Sequence, residues 1–188
     1  MLDHKSVRFL TLICFSALLI SCSTTSNTST TSDTSANVTN AESKYPSWYK
    51  TSRAVESDDT SYFGYATAID SDSSASAEKA KAQAQSELKS AISNRLETIR
   101  NDAVVELGSD SGLDSPRFII ALRKAENEVP SVTSTEEIEV ECLEGEGYRA
   151  FSKVSVEKES LIEELDKAFS ANSRAWNAMK ESEAFSQF

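Results

Sequence analysis

Three observations predict an α+β fold in which a small antiparallel sheet packs against long helices. Residues 62–69, Tyr-Phe-Gly-Tyr-Ala-Thr-Ala-Ile, put Gly64, Ala66 and Ala68 on one side of a strand and Phe63, Tyr65, Thr67 and Ile69 on the other, because successive strand side chains point to opposite faces. Downstream, Ala77, Ala80, Ala84, Leu88, Ala91, Ile92, Leu96, Ile99 and Ala103 recur mainly at steps of three and four, the spacing of an amphipathic helix. Finally, Ile138, Val140 and Cys142 alternate with Glu137, Glu139 and Glu141 ahead of the turn Glu144-Gly145-Glu146-Gly147. Tyr148, Ala150, Ser152, Val154 and Val156 carry the apolar face onto a return strand, which makes a hairpin.

Taken in order, the chain opens with Lys5 and Arg8, the apolar run Phe9 to Ile20, and small Ser21 before Cys22. This is the pattern of a secretory signal peptide over residues 1–21. A membrane span needs about 20 apolar residues, more than the run supplies. The last four residues of this stretch, Leu19-Ile20-Ser21-Cys22, resemble the bacterial lipobox. The resemblance implies cleavage between Ser21 and Cys22, acylation of Cys22 by palmitate-type chains, and, with Ser23 rather than Asp following, sorting to the outer membrane. Two or more acyl chains anchor a protein stably, whereas one does so only marginally. Cys14 then leaves with the leader and Cys22 carries lipid, so Cys142 alone remains and no internal disulfide forms. Cys142 is expected as a buried small hydrophobe on a strand face, with an intermolecular bridge or a reactive thiol as the other readings.

Residues 22–44 are rich in Ser, Thr and Asn and nearly devoid of apolar side chains. Such a segment cannot bury enough surface to fold and is expected to be a disordered tether, spanning roughly 25 Å as a coil. A single domain over 45–188 follows, beginning at Tyr45-Pro46-Ser47-Trp48-Tyr49. An exposed aromatic cluster there would suit a carbohydrate or a protein partner; the alternative, preferred here, is that Trp48 closes the edge of the core.

Ser71 to Ser74 offer N-caps for the long helix, whose first half presents only alanine and so fits the flat Gly64/Ala66/Ala68 face. Gly108 is placed to end it. Ser115-Pro116 opens a short helix with Phe118, Ile119, Leu122 and Ala125 on one face, which Pro130 ends. Within the hairpin, pairing Cys142 with Tyr148 sets Glu141 opposite Arg149 and Glu137 opposite Lys153 on the solvent side. From Glu157 onward a helix is expected, with Leu161, Leu165, Ala168, Phe169, Trp176 and Met179 near one face. Its apolar surface after Leu165 exceeds what a small sheet covers, which suggests Trp176 and Phe185 as interface residues, with Phe185 and Phe188 frayed or packed on a neighbour.

Charge and composition narrow the function classes. The formal net charge is −11, and about −12 once the leader's excess of one positive charge is removed. A chain this acidic repels phosphate backbones, so no nucleic-acid partner is expected. The one histidine, His4, falls in the leader, leaving no imidazole for a catalytic triad or a metal. No glycine-rich phosphate loop is present, and no cofactor is expected. The carboxylates Glu137, Glu139, Glu141, Glu144 and Glu146 lie about 7 Å apart along strand faces, a spacing that suits acid–base work or calcium. Their alternation with apolar residues assigns them instead to a solvated face, with a patch for a basic partner as the alternative.

Together, the lipobox at Cys22, Pro46 and Trp48 ahead of the Tyr-Phe-Gly-Tyr-Ala strand, the alanine-rich helix from Ala75 and the hairpin with its helix to about Phe169 resemble the Lpp-twenty lipoprotein family of bacterial outer membranes. The resemblance covers residues 45–169; the chain departs from it in its long Ser/Thr segment and in its Trp176 to Phe188 tail. It implies a small α+β fold with no active site, in a family whose members include surface antigens and components of rings around the flagellar motor. The expected function is therefore a non-enzymatic, lipid-anchored outer-membrane protein that self-associates or docks on an envelope partner. The alternative is a monomeric periplasmic or surface module that binds a glycan or small ligand through Trp48, Tyr49 and Tyr62.

Overall fold

A computed structural model describes residues 45–145 and 147–188, which fall within one compact unit. The leader, Ser21, Cys22, the tether and Glu146 lie outside the described residues. In order, the elements are β1 (Val55–Ser57), β2 (Ser61–Asp70), α1 (Ser73–Leu107), α2 (Pro116–Ala125), β3 (Ser134–Leu143), β4 (Gly147–Glu157), α3 (Lys158–Ala168) and α4 (Ser173–Glu181). The strands form one antiparallel sheet in the order β1-β2-β4-β3. The fold is α+β.

The join between β2 and α1 sets the frame. Asp72 caps α1 by accepting the Ala75 N–H at 2.9 Å. At the other end Gly108 adopts a φ of 77°, and its N–H donates to the Val104 carbonyl at 3.0 Å, a conformation glycine takes at little cost. The 35 residues between them make a rod about 52 Å long. Its buried stripe is Ser76, Ala80, Ala84, Leu88, Ile92, Leu96, Ile99 and Ala103. A Cβ at Gly64 would lie 2.6 Å from the Ala84 carbonyl oxygen and 2.9 Å from the Leu88 Cβ, so backbone meets backbone here. Beyond Ala84 the leucine and isoleucine side chains enter a core shared with Phe118 and Leu122 of α2 and Leu161 and Leu165 of α3.

The hairpin register is as the charges predict: Cys142 opposite Tyr148, Glu141 opposite Arg149 and Glu137 opposite Lys153. Burial along β3 differs from expectation. Ile138 is 43% exposed, Val140 is 38% exposed, and Cys142 is exposed as well. The period-two pattern located the strand correctly, but β3 is an edge strand, and on the α1 side full burial begins at its inner neighbour β4, with Ala150, Ser152 and Val154. The expectation of a buried Cys142 is thereby corrected.

The helix expected after Glu157 is broken. α3 ends at Ala168, a 3-10 turn follows at Ser170–Asn172, and a second one at Glu183–Gln187 follows α4. The break folds the tail back onto its own domain. The Phe169 ring stacks on Phe118 at 5.0 Å and on Trp176 at 4.7 Å, and Phe185 meets Trp176 edge-on at 5.7 Å. Strand β1, three residues beside β2, carries too short a pattern to be read from the sequence.

Candidate functional site

Apart from Ser21 and Cys22, which lie outside the described residues, each predicted site residue has a defined place. Tyr49 packs edge-on against Phe151 at 5.0 Å and Tyr65 at 6.3 Å, and Tyr45 stacks on Tyr49 at 5.9 Å. Trp48 leans on Tyr49, with ring centroids 6.0 Å apart. These aromatics cover the sheet face opposite α1, burying Tyr65 and Phe151. Tyr62 lies on the other face, buried under α1, and its hydroxyl donates to the Phe188 main-chain oxygen at 2.6 Å. The three aromatics proposed for a glycan site are thus separated by the sheet, and Tyr62 presents no surface to a ligand alongside Trp48 and Tyr49.

Trp176 and Phe185, expected as interface residues, belong to the domain's own core and its margin. Trp176 is 2% exposed, and its indole N–H donates to Asp166 at 2.5 Å. Lys180 reaches the same carboxylate oxygen at 2.6 Å. Phe188 is buried against Tyr62 and Phe185 rather than frayed. The reason is aromatic stacking, which gives the tail an intramolecular partner.

The largest shifts, at Tyr62 and Asp70, fall on groups that fasten the fold. Burial pushes the Tyr62 phenol up to about 12, against the pull of the Arg95 guanidinium. The Lys79 ammonium, together with the Asp72 N–H, holds the Asp70 carboxyl down to about 2. Lys180, then the Trp176 indole, lowers Asp166. Glu126 is raised by burial and by nearby Glu97, and its Oε1 is buried without a hydrogen-bond partner among the described residues.

Two grooves mix cations with carboxylates. One, about 560 Å³, runs between α2 and α3, with Arg117, Lys124 and Lys167 set among Glu128 and Glu164 around Ile120 and Ala121. The second, about 520 Å³, is lined by Arg53, Arg95 and Lys158 beside Tyr62 and Phe188. Among the described residues no group of three or more Cys, Asp or Glu side chains is arranged to hold a metal ion, and no helix is long and apolar enough to cross a membrane. The carboxylates of β3 line up on the face opposite α1: Glu137 lies across from Lys153, Glu139 across from Phe151, and Glu141 accepts from Arg149 at 3.1 Å. The reading of these carboxylates as a solvated row, rather than a desolvated pair, accords with their exposure.

Comparison with known proteins finds no matching family model, no significant match among curated proteins and none among solved structures.

Proposed function

We propose that this chain is a non-enzymatic lipoprotein, held in the outer membrane by acyl chains on Cys22, whose domain serves as a docking or assembly component of the cell envelope. One observation carries the reading: the basic start, apolar run and Leu19-Ile20-Ser21-Cys22 end directly in a Ser/Thr segment, with the first aromatic of the domain only at Tyr45. That order is what a tethered domain requires. The domain's geometry supports it further. Its most perturbed side chains are committed to structural contacts, and the aromatics that a ligand site would use cover the sheet instead. Membership of the Lpp-twenty family, with a flagellar or other envelope assembly as partner, belongs to the same proposal.

The test is genetic. Removing the gene should weaken the outer-membrane barrier, read as detergent sensitivity, or impair motility. Cys22→Ala should reproduce that loss even though the domain still folds. Motility and detergent resistance that stay unchanged in the deletion strain would contradict the reading.

A further inference from the structure

We propose that the outer edge of β3 is a docking site for an extended segment of another protein in which basic and aliphatic residues alternate. The inference rests on the reading of the domain as a docking module, though not on the lipid anchor. β3 is ten residues long and pairs with β4 along one side; among the described residues no strand pairs with the other side. Ten residues of edge offer about 33 Å of backbone donors and acceptors, a template for strand addition. The opposite edge, β1, is only three residues long.

The two faces of β3 specify the occupant. On the α1 side Ile138, Val140 and Cys142 form an exposed, mostly apolar row continuous with the buried Ala150 and Ser152 of β4. An incoming strand with aliphatic side chains on that face would extend the sheet's core outward by one strand. On the other face Glu141 pairs with Arg149, and Glu137 lies opposite Lys153, whose ammonium sits over the Phe63 ring at 4.6 Å. Glu139, opposite Phe151, has no cation directly across from it. Lysine or arginine at alternate positions of the added strand would complete that row, since opposite charges across a ladder stabilise it and like charges oppose it.

The same rule argues against a second copy pairing through β3, because carboxylate rows would then face each other. Edges in soluble proteins are commonly blunted by lysine, proline or a bulge. Here the irregularity falls between Thr135 and Glu137, and the strand from Glu137 to Leu143 is regular. The carboxylates therefore both deter self-pairing and select a basic partner.

The test uses the full chain in nonionic detergent and a labelled, roughly nine-residue peptide of alternating lysine and valine, matched in length to the edge. A peptide of the same composition with its lysines in one block is the control. Fluorescence anisotropy should show the alternating peptide binding at least about tenfold more tightly than the block peptide, and Glu139→Lys should weaken it at least about tenfold. Hydrogen exchange at residues 137–142 should slow on binding. Because Glu139 is exposed at an edge, its reversal leaves the core intact; unchanged native exchange in α1 is the check.

Equal binding of both peptides, no effect of Glu139→Lys, or protection confined to other elements would overturn the proposal. So would a concentration-dependent mass increase that Glu139→Lys abolishes, which would make a second copy the occupant. Failure here alongside a deletion phenotype refutes the edge alone. Peptide binding without a deletion phenotype refutes the envelope role.

Discussion

Gly64 and Tyr62 bear on opposite ends of the packing problem, and each yields a prediction. At Gly64 the α1 backbone comes so near the strand that an added methyl would sit 2.6 Å from a carbonyl oxygen. Gly64→Ala should cost about 1–3 kcal/mol by forcing the helix outward, read as a drop in the urea midpoint; an unchanged midpoint would mean that α1 rides higher on the sheet. At Tyr62 the buried phenol, raised to about 12, donates to Phe188. An acid whose folded pKa exceeds its unfolded value gives stability that is whole below the unfolded value, about 10, and is lost as pH rises toward 12. Denaturation followed from pH 9 to 12 should show that loss, and Tyr62→Phe should flatten it while costing about 1–3 kcal/mol at neutral pH through the lost hydrogen bond to the Phe188 main-chain oxygen. Asp70 works in the other direction. Lowered to about 2 by Lys79, it contributes above its ordinary value near 3.8 and loses that contribution as pH falls through 2. Lys79→Ala should make unfolding between pH 4 and 2 less steep.

Among the elements, the tail makes the sharpest claim. Trp176 stacks on Phe169 and is pinned by Asp166, so Trp176→Ala should cost about 3–5 kcal/mol, measured by thermal unfolding of the full chain. An interface residue would instead leave stability untouched and alter mass. This is where the sequence was least informative: periodicity marked Phe169, Trp176 and Met179 as apolar, but whether they meet one another or a neighbour depends on a chain reversal at 170–172 that periodicity does not encode. The strand–helix pair was legible, because Gly64, Ala66, Ala68 and the alanine stripe state their complementarity in residue size. The hairpin register was legible too, since Glu137/Lys153 and Glu141/Arg149 leave one alignment. Burial on β3 was not. Alternation reports which face a side chain takes, while coverage depends on the strand's place in the sheet, and that follows from β4 pairing with β2, from Asp70↔Tyr148 to Ser61↔Glu157. For the same reason, the run Tyr45 to Tyr49 disclosed aromatic character and a packing role for Trp48 at the edge of the core, but not which face of the sheet it would cover.

For the whole molecule, charge, anchoring and surface combine. A net charge of −11 keeps the chain from anionic surfaces, so under the proposed function its hold on a membrane would come from acylation of Cys22, with residues 22–44 as the tether. The most acidic strand, β3, then becomes the surface at which a basic partner is met. The most direct measurement is the intact mass of the protein recovered from membranes of cells expressing the full chain. The prediction is a species that begins at Cys22 and carries the added mass of two or more acyl chains, with Cys22→Ala retaining residues 1–21 and no acyl mass. An unmodified chain of 188 residues, or a soluble product cleaved elsewhere, would contradict the lipid-anchored docking role.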